Sequence, residues 1–311
     1  MTTMKMTSSK AKTITVYWFR NALRLHDNPS LLHACGNVSS SVSDSTLKSN
    51  SLLCPIYVID PRCPFAQTKG RRVGANRANF ILESLQDLNG KLNALDSKLL
   101  VLKGDPRNVL PSVFAQLKKV YDVKGSNTEF HLIYEKESAQ PIRELDREVL
   151  KNMDDSINVK SFDTHSLFEM EHYVAKCKGG VAPSTLTGFR KIFNGMGDVS
   201  EEVDPITWCP ELPDVNNLSE FSFETTDVSY SVPSLQMLGY SEEESKIWRE
   251  DTDCAFIGGE DEGLKLLEKM KRRPSWVAEF EKPKTKPNAL SPDTTALSPC
   301  KYHSKIISSH Q

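Results

Sequence analysis

The chain has 311 residues, 38% hydrophobic and 26% charged, with 15 Gly and 17 Pro. At roughly 150 residues per domain there is room for about two domains, and the charge content is that of ordinary globular chains, which argues against a fibrous or wholly disordered protein. Lys and Arg total 39 against 41 Asp and Glu, so a globally basic nucleic-acid coat is excluded while a local basic groove is not. No run approaches the ~18 apolar residues of a membrane span, which sets the expectation of a soluble protein.

Residues 1–12 are basic, hydroxyl-rich and free of acids, and read as a frayed tail; a plastid transit peptide is the alternative reading. Thr13 to Phe19 is β-branched and aromatic, a buried strand. A charged loop, Arg20 to Pro29, leads to a short helix over Ser30 to Cys35. Asn37 to Ser51 is Ser-rich and reads as a surface insertion. Leu52 to Ile59 is the second strand, with Pro55 expected near its start or at an irregularity, because proline removes a ladder donor.

Val73 to Leu95 carries Phe80, Leu82, Leu85, Leu88 and Leu92 at helical spacing. Lys98 to Leu102 reads as a strand running into Gly104-Asp105-Pro106. Asp105 is a helix cap with proline at the first position, and that helix runs to about Tyr121. Phe130 to Tyr134 is a strand, Ala139 to Lys151 a helix and Ile157 to Phe162 a fifth strand. Strands alternating with helices predict right-handed crossovers and a doubly wound, Rossmann-like, five-stranded parallel sheet covered on both faces. Beyond Gly195 the prolines at 205, 210, 213 and 233 suit an extended segment. One further helix is clear, from about Glu260 to Lys271, entered by a turn at Gly258-Gly259.

The first strand–helix turn lacks GxGxxG, and no GxxxxGK[ST] occurs, so neither usual phosphate cradle is expected. Ligands of such sheets gather at the carboxyl ends of the strands, where this sequence presents Arg20, Asp60 and Glu135. Arg20, Arg24 and Asp27 are charges just past a buried strand and read as an Arg–Asp pair fixing the first loop. The seven cysteines form no CxxC pair and the seven histidines no HExxH; reduced thiols in the nucleus or cytoplasm are expected, and no metal site.

WFRNALRLHDNP after the first strand resembles the opening of the photolyase/cryptochrome family. So do, in order, LCPIYVIDP, GANRANFILESLQDLNGKL, KGDP, LIYEKESAQP and HSLFEMEHYVAKCKGGVAPSTLTGFRKIF. VPSLQMLGYSEEE, FIGGEDEGLKLLEKM and WVAEFEKPKTKPNALSPDTTALSP are similar to the family's connector and the first pieces of its flavin domain, with EKPKT and TTALSP most like the (6-4) photolyase and animal-cryptochrome branch. The resemblance runs from Thr13 to Pro299. It implies an α/β antenna-binding domain over 13–194, a connector over 195–255 and the start of a helical FAD domain over 256–311.

The resemblance further implies that Thr294, Thr295, Leu297 and Ser298 belong to the segment wrapping the FAD phosphates. Arg20, Asp60 and Glu135 would border an antenna deazaflavin or folate. The implied activity is light-driven repair of UV-damaged DNA, the lesion flipped from the duplex to reach a buried flavin. A cryptochrome-type photoreceptor or circadian regulator is the alternative, and a non-catalytic chromophore carrier or interaction module a third. After TTALSP the family continues for about one further domain, whereas this sequence reads CKYHSKIISSHQ. The expectation is therefore a truncated chain, inactive alone, with no assignable catalytic residue.

Overall fold

The computed structural model describes residues 12–36, 50–61, 72–122, 127–223, 231–246 and 257–275. Five strands, β1 (Lys12–Phe19), β2 (Ser51–Ile59), β3 (Leu100–Lys103), β4 (Thr128–Glu135) and β5 (Ile157–Phe162), form one sheet in the order β3-β2-β1-β4-β5. Every pairing is parallel. Central β1 is buried on both faces, so its sequence is a continuous apolar run rather than an alternation. Tyr17 and Phe19 pack with α1 (Pro29–Ala34) and α2 (Ala75–Asn93) on one face. Ile14, Val16 and Trp18 pack with α3 (Pro106–Tyr121) and α4 (Gln140–Lys151) on the other. The Ser-rich insertion expected from Asn37 lies largely outside the described residues.

Local chemistry explains the helix limits. Asn28 Oδ1 accepts the Leu31 N–H at 3.0 Å to cap α1, and Asp105 accepts the Arg107 N–H at 3.0 Å to cap α3, with Pro106 at the first position. Pro111 inside α3 cannot bond the Arg107 carbonyl. The Asn152 side chain does so instead, at 3.2 Å, so the orphaned acceptor is satisfied from the end of α4.

Pro55 departs from expectation: it stands mid-strand, opposite Tyr17. Leu53 N–H donates to Glu211 and Ile59 accepts from Gly104, so the odd residues of β2 bond on the side away from β1. β3 begins opposite Ile56. The missing N–H of Pro55 therefore faces the stretch of β2 edge that β3 does not reach, where it leaves no partner orphaned.

The second half holds more helix than its composition suggests. Besides α8 (Glu260–Lys271), the structure has α5 (Met170–Lys176), α6 (Leu186–Phe193) and α7 (Glu242–Lys246). Residues 195–215 are extended, but they pack on the sheet rather than lead away from it. Ile206, Cys209, Leu238 and Tyr240 enter the α1–α2 core, and Val215 and Leu218 the α3–α4 core. Among the described residues no helix is long and apolar enough to cross a membrane.

α8 is docked end-on against α2. The Gly258 N–H donates to Glu83 at 2.9 Å and the Glu260 N–H to Asp87 at 2.8 Å, placing carboxylates at the positive end of the helix. A side chain at Gly258 would put its Cβ 2.0 Å from the Phe80 carbonyl, and Gly259 has φ +131°. The glycine pair is thus what lets α8 approach. Gly258→Ala should destabilise the protein by about 1–3 kcal/mol, the usual range for overpacking, read by denaturant unfolding. Hydrogen exchange should rise at Leu25 and His26, which α8 holds, while β1 keeps its protection.

Candidate functional site

Strand order reverses between β1 and β4. The carboxyl ends of these two strands therefore open the crevice where such sheets ordinarily receive ligands. Here the loop after β1 occupies it. Residues 20–28 have no strand partner, so their buried polar groups must be satisfied from elsewhere.

Two buried carboxylates do most of this. Glu135, 1% exposed at the end of β4, accepts the backbone N–H groups of Asn21 and Ala22, the latter at 2.7 Å. Its second oxygen takes the Thr164 hydroxyl at 2.7 Å and faces His165 Nε2 at 3.0 Å. Glu260, 2% exposed at the start of α8, accepts the N–H of Leu25 at 3.1 Å and of His26 at 2.9 Å. It also contacts His26 Nδ1, and Lys91 Nζ at 2.7 Å.

Arg24, 1% exposed, binds the loop from inside. Its Nη2 donates to the Asp27 carbonyl at 2.9 Å and the Thr164 carbonyl at 3.3 Å, and lies 3.9 Å from the Asp27 carboxylate. Of the two arginines, Arg24 makes the Arg–Asp pair expected in this loop. Asp27 has the left-handed φ of 41° and exchanges two hydrogen bonds with Val203. Below the loop, the buried Tyr17 hydroxyl reaches Asn28 at 3.1 Å and Ser30 at 2.7 Å.

The rim residues picked out in the sequence fall on adjacent strands, Asp60 after β2, Arg20 after β1 and Glu135 ending β4. Arg20 donates to Asp146 and to the Glu135 carbonyl, both at 3.1 Å, and its guanidinium lies 4.7 Å over the Trp18 ring. Arg20 and Glu135 thus point their bonding atoms into a closed protein network rather than an open edge. Asp60 is half-buried at the end of β2. Thr294, Thr295, Leu297 and Ser298 lie outside the described residues. Among the described residues no group of three His, Cys, Asp or Glu is arranged to hold a metal ion. Sequence reasoning missed Asp146, Thr164, His165 and Glu260, which lie far along the chain from the loop they hold; Glu260 could be found only as an acid following a glycine pair.

Burial alone would push the Glu135 carboxyl up; His165, 3.0 Å away, then the Ala22 N–H and Thr164, hold it well below the usual carboxylate range. For Glu260 burial again pushes up, and His26 and Lys91 outweigh it, leaving the group at about 2. Both groups bind protons more weakly folded than unfolded. Their stabilisation is complete above the ordinary range near ~4.3 and is lost as pH falls through the folded values. Glu260 alone accounts for about 3 kcal/mol over that window. Stability measured in urea should therefore fall from pH ~5 to ~2, and Glu260→Gln should flatten the fall as well as lowering the plateau. Glu135→Ala should cost about 3–5 kcal/mol, as breaking a buried pair does. An acid profile unchanged in Glu260→Gln would contradict this assignment.

A family profile described as DNA photolyase matches residues 15–205. The chain is 36% identical over 303 residues to a (6-4) DNA photolyase of Arabidopsis thaliana, covering 94% of this chain and 48% of that protein. It is 31% identical over 293 residues to cryptochrome-1 of Gallus gallus, covering 91% of this chain and 40% of the relative. The chain thus spans about half the length of the curated relatives it matches. In fold it is similar to the Synechocystis cryptochrome, with TM-score 0.61 and 23% identity over 88% of this chain and 49% of that one. The class III photolyase of Agrobacterium tumefaciens gives TM-score 0.59 and 18% identity over 85% of this chain and 46% of that one. With the profile covering most of the sheet and the segment leaving it, this chain belongs to the DNA photolyase family.

Proposed function

We propose that this chain provides the α/β half of a light-driven DNA-repair protein of the (6-4) type, acting on UV-damaged DNA in the nucleus or cytoplasm. The observation that carries the reading is the 36% identity to a (6-4) photolyase across 94% of the chain. A cryptochrome-type light receptor is the second reading, supported by 31% identity to cryptochrome-1.

In the repair reading, FAD supplies the light-driven electron transfer and an antenna deazaflavin or folate supplies light absorption. Thr294, Thr295, Leu297 and Ser298 are proposed to help hold the flavin phosphates, because clustered hydroxyls and backbone N–H groups solvate phosphate. Arg20 donates to the Glu135 carbonyl and to Asp146, and Glu135 accepts from Ala22 and Thr164, so their part is to tie the rim together. Asp60, at the end of the neighbouring strand, is proposed as the polar contact for the antenna, beside the apolar side chains of β2.

Fluorescence titration of the purified 311-residue chain with a deazaflavin and a folate tests this. Loose binding is expected, weakened several-fold by Asp60→Ala in protein shown by circular dichroism to be folded. Absence of binding by a folded chain would overturn the antenna assignment. The chain alone is expected to carry no stoichiometric FAD, since a cofactor pocket buries most of its ligand and this chain spans about half of its photolyase relative. A protein containing this segment together with the remaining half should repair a (6-4) substrate in blue light. Light-dependent signalling without repair would favour the cryptochrome reading.

A further inference from the structure

The residues that follow β5 return to the end of β4. The Thr164 hydroxyl donates to Glu135 at 2.7 Å, and the Thr164 carbonyl accepts from Arg24 at 3.3 Å. Beside it, His165 Nε2 faces two carboxylates, Glu135 at 3.0 Å and Glu137 at 3.4 Å. Both acids are withdrawn from water, their side chains 1% and 8% exposed. Each also reaches the first loop: Glu135 accepts the backbone N–H groups of Asn21 and Ala22, and Glu137 accepts from the Asn21 side-chain amide. One imidazole thus stands between the segment leaving the sheet and the two acids that hold the start of the loop.

We propose that His165, Glu135 and Glu137 form a proton-operated clasp, closed while His165 is charged and releasing the start of the first loop when that proton is lost.

The physical case is charge balance between buried groups. A protonated imidazole donates from both nitrogens and offsets the charge of the two acids it faces. Once its proton passes to solvent, two like charges remain side by side, with little water to screen them and a neutral ring between them. Other charged groups surround the set. From the first loop, Arg24 bonds the carbonyls of His26, Asp27 and Thr164, and Arg20 bonds the Glu135 carbonyl and, on α4, Asp146. After β4, Lys136 pairs with Asp163 and with Glu171 of α5. Burial first and then the Glu135 charge hold the protons on Tyr17 and Tyr57. Arginines, lysines, carboxylates and phenols ordinarily titrate outside the interval from pH ~6 to ~9, which leaves His165 as the member of this set that changes charge there. The clasp's contribution is complete below the ordinary histidine range near ~6.5 and is lost as pH rises through the value His165 has in the fold. That direction is opposite to the acid loss carried by Glu135 and Glu260, so the two effects separate on a pH axis. Residues 20–22 lie at the reversal of strand order, so their release opens the ligand-receiving edge of the sheet.

The test follows amide hydrogen exchange of the folded 311-residue chain from pH ~6 to ~9, with rates corrected for the intrinsic pH dependence of exchange. Protection at Asn21 and Ala22 should fall about tenfold or more as pH rises, the change that one pH unit of linked titration produces. Val16 and Leu132, buried in the sheet, should keep theirs. His165→Gln, which carries no titrating charge, should show low protection at both ends of the range, and Glu137→Gln should reduce the fall. The wild-type series decides even if a variant folds poorly. Equal protection at Asn21 and Ala22 across the range, a loss confined to Leu25 and His26, or a fall of the same size in His165→Gln, would each overturn the proposal.

Discussion

A stretch of backbone without a strand or helix to bond to must be satisfied by other groups, or each buried N–H costs about 1–3 kcal/mol. Residues 20–28 are that stretch in this fold, and most of its architecture can be read from how the requirement is met. Glu135 takes the N–H groups at the start of the loop and Glu260 those in its middle. Arg24 turns inward to collect its carbonyls. Carboxylates suit the role because each has two oxygens and several lone pairs, enough to accept from two adjacent amides and a side chain together. Their own burial is tolerable only because His165, Thr164, His26 and Lys91 surround them.

The arrangement alters what the strand ends can do. In an open sheet of this type the crevice at the reversal of strand order is vacant for a ligand. Here the chain's own loop fills it, with Arg20 braced between Asp146 and the Trp18 ring. The antenna contact proposed for Asp60 lies outward of it, at the neighbouring strand end. The network ties many buried groups to one another, so moving any member would orphan several of them together, and this holds the rim in place. A rim held in place is useful where a chromophore must keep a fixed orientation, which is the role proposed for it.

The sheet was legible from the sequence because its signals are local. The β1 and β2 apolar runs, the Asp105-Pro106 cap and the spacing of Leu82, Leu85, Leu88 and Leu92 each depend on a few neighbouring residues, and each element formed within two or three residues of its expected limits. Pro55 misled because its effect depends on where β3 begins, which no local pattern states. Helices α5 and α6 were missed for a different reason. Neither buries a residue in the sheet, and they are held by contacts among Phe168, Tyr173, Phe189 and Phe193. The rim residues were found from the strand ends, but their bonding was not, since Glu135 meets residues more than a hundred positions away.

Composition also places a break near residue 195, and the packing crosses it. Proline-rich sequence ordinarily marks a spacer, yet Val203, Ile206, Cys209 and Glu211 are each held against α1, β2 or the first loop. The same prolines explain both facts. Pro205 and Pro210 leave this extended segment two fewer N–H donors to satisfy where it lies on an apolar surface. Glu260 carries the consequence further, because the loop after β1 is incomplete until a helix more than two hundred residues later has docked. Sheet, extended segment and α8 therefore share buried polar groups as well as apolar ones, and opening one exposes charges that the others compensate. The sheet gives the molecule its shape, while its cohesion depends on the carboxylates that later segments bring back to the first loop.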